Sequence, residues 1–362
     1  MANPWRTMRD FYDRYERWLI PGALVLGVVV DFVTFTSIQI GTAFLILGGH
    51  VLIAGGAIVF LQAEIPRLNE KRSLGMTMKV IAPLALQFSF GALLSASFVF
   101  YWFSGALSVS WPILCILAVL MASNDVLRHW FERPVVQFTV FAFILFSIAT
   151  LVFPYVLNSV EESVFVLAGV SSLVLLALFA WPLLRFLPHL RALRPQITIG
   201  VIGMFVFMNG LYFFNIIPPI PLSLREAGVY HQVARSGAAY VLTAEDRSLF
   251  DRLLPGQTVH LQPGQRVYLY TALFAPAKLH TTIVHRWQFF DPARDEWVDR
   301  DQLSFPLTGG RDEGYRGYTQ KSALQEGKWR VSVETKRGQT LARVGFRVEH
   351  IKESPEFVTL LR

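Results

Sequence analysis

Polar side chains are scarce in the first 221 residues of this 362-residue chain, and that scarcity singles out the few able to do chemistry. Asp31, His50, Gln87, Ser95 and Asn209 each interrupt a long apolar run, with Asn124 and Asp125 at the end of another. Inside a bilayer such groups are expensive, and they mark proton relays, substrate pathways or interhelical hydrogen bonds. Asp31 and His50 have the chemistry of a proton relay. Gln87, Gly91 and Ser95 recur every four residues, which sets them on one helical stripe suited to close packing. We read the set first as helix-packing glue, with a transport or ligand pathway as the alternative. A transporter predicts inverted repeats and broken helices converging at mid-membrane, and no internal repeat is visible.

A second concentration of chemistry lies near the other end, in Gly309-Gly310-Arg311-Asp312-Glu313-Gly314-Tyr315-Arg316-Gly317-Tyr318-Thr319. Arg311 and Arg316 offer planar forks for carboxylate or phosphate. Tyr315 and Tyr318 offer flat amphipathic faces for sugars or lipid headgroups. These four are the candidate binding residues; the alternative is a long hairpin in which glycine serves the turn. His285, on the apolar face of an alternating run, reads as a hydrogen-bonded core histidine, because no second His or acid stands beside it at metal-ligand spacing. No nucleophile–base pair, metal cluster or phosphate-cradling motif is recognisable, so we expect no catalytic residue, cofactor or metal.

These residues must be positioned by two very different kinds of element. Residues 1–221 hold 13 Lys/Arg and 10 Asp/Glu, whereas residues 222–362 hold 20 and 16. The whole chain is 53% hydrophobic and only 16% charged, against about 25% charged in soluble domains. A membrane domain followed by a soluble domain is the reading. Seven apolar runs are long enough to cross a bilayer: about 18–36, 38–62, 80–103, 107–127, 135–158, 163–186 and 197–219. All 13 basic residues fall before the first run or in alternate loops, and the loops near Ser37, Ser104–Ser108 and Asn158–Ser163 carry none. The excess of basic residues on one side predicts a cytoplasmic N-terminus and places residues 222–362 outside. The aromatic and Arg residues of 4–18 suit either an interfacial helix or an anchor for the first span.

After the stiff Ile217-Pro218-Pro219-Ile220-Pro221 exit, residues 222–235 are expected to form a short helix. Beyond them the period becomes two: Val267, Leu269, Thr271 and Leu273 alternate with Tyr268, Tyr270 and Ala272. Trp329, Val331 and Val333 alternate with Lys328, Arg330, Ser332 and Glu334. Such runs, separated by Pro-Gly and Gly-Gly turns, predict antiparallel strands with one apolar face, and an immunoglobulin-like sandwich with Trp329 buried. Both signs of charge are interspersed there, without the basic stripe of a nucleic-acid binder. With the single Cys115 in an apolar run, a disulfide framework is excluded.

Val267–Pro276, Val284-His285-Arg286-Trp287, the Gly309–Thr319 segment, Gly327-Lys328-Trp329-Arg330-Val331 and Phe346-Arg347-Val348 resemble the bacterial DUF2914 family. Ile217–Leu224, Glu226–His231, Gln87–Gly91 and Ser110-Trp111-Pro112 resemble its membrane-bound members. The resemblance implies a bacterial inner-membrane protein with an extracytoplasmic domain, and it carries over no catalytic residues. The expected organisation is an N-terminal segment (1–17), a seven-helix membrane domain (18–221), a junction (222–262), a β-sandwich (263–350) and a tail (351–362). The expected role is non-catalytic binding of an envelope glycan, lipid headgroup or protein; a transporter or membrane enzyme using Asp31, His50, Gln87 and Asn209 is the alternative.

Overall fold

The computed structural model describes residues 29, 31, 33, 40–64, 73–104, 107–126, 133–218, 222–237, 239–246, 257–275, 279–309, 314–353 and 355–362. They form two compact units. The first comprises Met1–Trp102, Trp111–Val156 and Glu161–Ile216; the second comprises Ile217–Arg362 with the short stretches Phe103–Ser110 and Leu157–Val160.

The first unit is helical: α1 (Ile40–Glu64), α2 (Ser73–Ser104), α3 (Leu107–Val126), α4 (Pro134–Leu157), α5 (Glu162–Phe186), α6 (Pro188–Ala192) and α7 (Arg194–Phe213). Among the described residues, α1, α2, α4, α5 and α7 contain stretches long and apolar enough to cross a membrane. Helix α3 was expected as a span over 107–127; it runs Leu107–Val126, with Val109–Ala122 as its described apolar stretch. The expected first span and the aromatic–Arg segment 4–18 lie outside the described residues, save helical positions 29, 31 and 33. Helix α4 is the most buried, with Phe138, Phe141, Phe143, Ile144 and Phe146 all covered. Helices α1, α5 and α7 instead expose Leu45, Leu52, Leu178, Trp181, Ile199 and Val206.

The second unit is built of strands in three sheets. The first sheet has the order β1-β5-β8 (Ser223–Tyr230, Arg266–Phe274, Tyr315–Ser322). The second has the order β4-β10-β9-β6-β7 (Gln257–Leu261, Thr340–His350, Gly327–Thr335, His280–Asp291, Glu296–Thr308). The third has the order β11-β3-β2 (Phe357–Leu361, Ala239–Glu245, Gln232–Ser236). The first two enclose one core, in which Val267, Leu269 and Leu273 meet Trp287, Trp329, Val331 and Phe346. Trp329 is 2% exposed, as its alternation predicted.

Three expectations are corrected. Residues 222–235 are not helical: they form β1 and most of β2, because Glu226–Tyr230 pair residue by residue with Ala272–Tyr268 of β5. The sheets are not wholly antiparallel, since β4 runs parallel to β10. And β5 does not present one face to solvent. Tyr270 and Ala272, on its second face, pack against Val233 and Leu242 of the third sheet, so β5 is buried from both sides. The third sheet takes β11 from the expected tail, paired with β3.

Candidate functional site

The segment expected as a binding loop becomes strand from Tyr315 onward, and strand geometry divides its side chains between opposite faces. Tyr315, Gly317 and Thr319 turn towards the sandwich core. Tyr315 stacks on Phe305 with ring centroids 6.5 Å apart and packs against the core, so it is not the free flat contact expected. A Cβ at Gly317 would lie 2.3 Å from the Phe305 ring, so only glycine fits beneath it. Thr319 Oγ1 lies 2.8 Å from His285 Nδ1 and accepts a bond from Trp287 Nε1. His285, fully buried, also meets Thr271 Oγ1 at 3.3 Å. Burial pushes its pKa down to about 3, so it is the neutral, hydrogen-bonded core histidine that the sequence indicated.

Arg316 and Tyr318 turn the other way, towards the third sheet, while Arg311 lies outside the described residues. Registers place Glu226, Ala272 and Arg316 in one row across β1, β5 and β8, and Gly228, Tyr270 and Tyr318 in the next. Gly228 makes room for Tyr230, whose ring would lie 2.8 Å from any Cβ placed there. Tyr240 of β3 completes the set. Tyr270 contacts Tyr230 and Tyr240 at ring distances of 6.2 and 5.7 Å, and Tyr318 contacts Tyr240 and Tyr268 at 6.3 and 6.0 Å. Five tyrosines thus line one site, with Tyr318 40% exposed at its rim and Tyr270 wholly covered at its floor.

Polar groups edge this cluster. Arg316 Nη1 donates to the Arg362 carbonyl at 3.2 Å, and Arg362 Nε donates to Glu226 Oε1 at 2.7 Å. Among the described residues the buried Tyr270 hydroxyl has no hydrogen-bond partner. Burial pushes its pKa up to about 12, with Arg316 pulling the other way, so it remains a proton donor. Aromatic faces, a guanidinium and an unused buried hydroxyl can together hold a sugar-like or anionic group.

The intramembrane candidates separate. Asp31 is electrostatically coupled to His50, and His50 Nδ1 lies 3.4 Å from Ser89 Oγ. These two are therefore linked, where the sequence left them unconnected. Asn209 donates to the Phe205 carbonyl of its own helix. Gln87, on α2, is half-buried and has partners of its own. Two clusters escaped sequence reasoning. Gln62 donates to Gln137 at 2.8 Å and faces His189 at 3.3 Å; the polar interruption of an apolar run at Gln137 was the available signal. Glu245 Oε1 lies 2.8 Å from His231 Nε2, and its Oε2 lies 2.8 Å from His260 Nδ1. No local spacing announces that trio, whose members come from separate strands and a turn. Burial raises the Glu245 carboxyl, but bonds from both histidines and the His260 amide outweigh it, and the net direction is down. Among the described residues no group of three or more His, Cys, Asp or Glu could hold a metal ion.

No curated protein matches the chain. An immunoglobulin-like protein from Pseudomonas aeruginosa is similar at 12% identity and TM-score 0.22, covering 36% of this chain and 98% of its own. A Listeria innocua β-glucosidase is similar at 11% identity and TM-score 0.19, over 32% of this chain and 16% of its own. At those scores neither likeness bears on function. Residues 280–348, the stretch of the C-terminal domain from β6 to β10 that carries His285, Tyr315, Arg316 and Tyr318, match the family described as "Protein of unknown function (DUF2914)".

Proposed function

We propose that this chain is an integral protein of the bacterial cytoplasmic membrane, with its N-terminus inside and its β-domain outside, where the domain binds an envelope component without catalysis. The one-sided basic residues support that orientation.

The observation that carries the binding role is the buried, unpartnered Tyr270 hydroxyl beneath the tyrosine rim and beside Arg316. An unpaired buried hydroxyl costs roughly 1–3 kcal/mol, a cost that a ligand accepting its hydrogen bond would remove. The ligand class is a glycan, a lipid headgroup or an acidic protein segment. Tyr270→Phe tests the role. The variant should melt higher, by the equivalent of about 1 kcal/mol, while failing to restore whatever phenotype deletion of the protein produces. Full complementation by a stabilised Tyr270→Phe protein would remove the hydroxyl from the site. A second reading, a proton pathway, is favoured by the Asp31–His50–Ser89 chain, in which an acid, an imidazole and a hydroxyl follow one another.

A further inference from the structure

The second sheet carries an arrangement of its own on the face turned away from the core. Trp329, Val331, Phe346 and Val348 point inward, so their alternates on β9 and β10 point out. The outward residues are Lys328, Arg330, Ser332 and Glu334 on β9 and Arg343, Gly345 and Arg347 on β10. Arg347 stands directly opposite Lys328 in the register, and Gly345 directly opposite Arg330. Across β6 and β7 the same face presents Arg286, Gln288, Phe290, Asp299 and Trp297.

Not all of these charges are free. Arg286 Nε lies 3.2 Å from Glu334 and its Nη1 3.7 Å from Asp299, and Glu349 faces His260 at 3.8 Å. That leaves Lys328, Arg330, Arg343 and Arg347 with no carboxylate at ion-pair distance among the described residues. Like charges directly opposite across strands destabilise a sheet, and here Arg347 and Lys328 take that position. Arg330 is held below the usual guanidinium range by burial and then by Arg343.

Two of the four cations are nevertheless fixed in place. Arg330 Nε donates to Gln288 Oε1 at 2.6 Å, and its guanidinium lies 4.3 Å from the Trp297 ring centroid. Lys328 Nζ lies 5.5 Å from the Phe290 ring centroid. At the centre, a Cβ on Gly345 would meet nothing within 4 Å, so the floor is open.

We propose that this face, with Lys328, Arg330, Arg343 and Arg347 around Gly345 and with Trp297 and Phe290 at the rim, binds an anionic polysaccharide. Its carboxylate or phosphate groups neutralise the cations and its sugar rings lie on the aromatics. Cations about 7 Å apart along β9, about 13 Å apart along β10 and about 5 Å apart across strands suit a polymer that carries repeated charge. A bilayer surface fits less well: the large apolar side chains that the described β-domain exposes are Tyr318, Phe357 and Leu361, none of them on this face. The inference rests on the binding role proposed above but assigns a different surface.

The test uses the full chain in nanodiscs of uncharged lipid, with polygalacturonate and phosphorylated dextran as probes and neutral dextran and polyglutamate as comparisons. At least one anionic glycan should bind, with affinity that falls as salt rises and exceeds that for polyglutamate. The Arg343→Ala/Arg347→Ala double variant should bind about tenfold more weakly or worse without melting lower, since it relieves repulsion. Trp297→Ala should also weaken binding. Equal affinity for polyglutamate would overturn the glycan in favour of an acidic protein. Capture of phosphatidylglycerol vesicles through Arg343 and Arg347, with neither glycan bound, would overturn it in favour of a membrane. Glycan binding lost in Arg316→Ala/Tyr318→Ala but kept in the double variant would refute this surface while sustaining the binding role itself. Failure of both anionic glycans to bind refutes the proposal outright.

Discussion

His285 and Glu245 sit in one domain and answer to pH in different windows. An imidazole in the unfolded chain takes up its proton near pH 6.5; burial in the fold delays that to about pH 3. The unfolded state therefore holds more protons through this range, and stability falls as pH drops below 6.5, by at most about 1.4 kcal/mol per pH unit. Glu245 has its carboxyl held below the ordinary 4.5, so its contribution is intact above that value and is lost as pH falls further. Glu334, raised by burial, acts in the opposite sense and is common to the variants compared. Urea denaturation of residues 222–362 across pH should show His285→Gln flattening the decline between pH 6.5 and 4.5. Glu245→Gln should spare that limb and alter the one below 4.5. An unchanged slope in His285→Gln would mean that the ring titrates as if in water. The sequence disclosed His285, because its apolar-faced strand left it no metal partner. It could not disclose Glu245, because His231 and His260 reach it only once β3 and β4 are in place.

At the scale of elements, alternation was the readable signal wherever one face of a strand met the core and the other met water. The β9 run Trp329, Val331, Val333 is the plainest case. The signal failed where tertiary contact overrode local pattern. In β1, Ser223–Tyr230 mixes Arg, Glu, Ala and Gly without a period of two, and it is extended because β5, far along the chain, supplies a ladder from Ser223–Phe274 to Tyr230–Tyr268. The tyrosine site was half legible for the same reason. Tyr315–Tyr318 stood out in the sequence, but the strand pleat divides them, and Tyr230, Tyr240, Tyr268 and Tyr270 are recruited from other strands. This bears on where the domain can be cut. Residues 222–362 should give a cooperative thermal transition. Residues 236–352 lack β1, nearly all of β2 and β11, leave Tyr270 and Ala272 uncovered, and should melt broadly or aggregate. Equal, sharp transitions from both fragments would show the third sheet to be dispensable.

For the whole molecule, the division into apolar helices and a β-domain was plain from charge density, and the helices bear it out by turning large apolar side chains outward. Six of the seven expected spans coincide with described helices, five of which contain a stretch long and apolar enough to cross a membrane; the first expected span lies outside the described residues, save positions 29, 31 and 33. Orientation is open to direct measurement. A reporter active only outside the cytoplasm should be active when fused after Arg362 and silent when fused after Arg72, and the reverse pattern would invert the topology proposed. The order of strands adds a constraint in time. β11 pairs with β3, more than a hundred residues earlier in the chain, and Arg362 closes onto Tyr240 and Glu226. In a chain made from its N-terminal end, β1, β2, β3, β5 and β8 are all available before β11. Val233 and Leu242 can therefore cover the aromatic floor early, and what comes last is the outer edge of the tyrosine site, closed only when β11 pairs with β3 and Arg362 reaches Glu226.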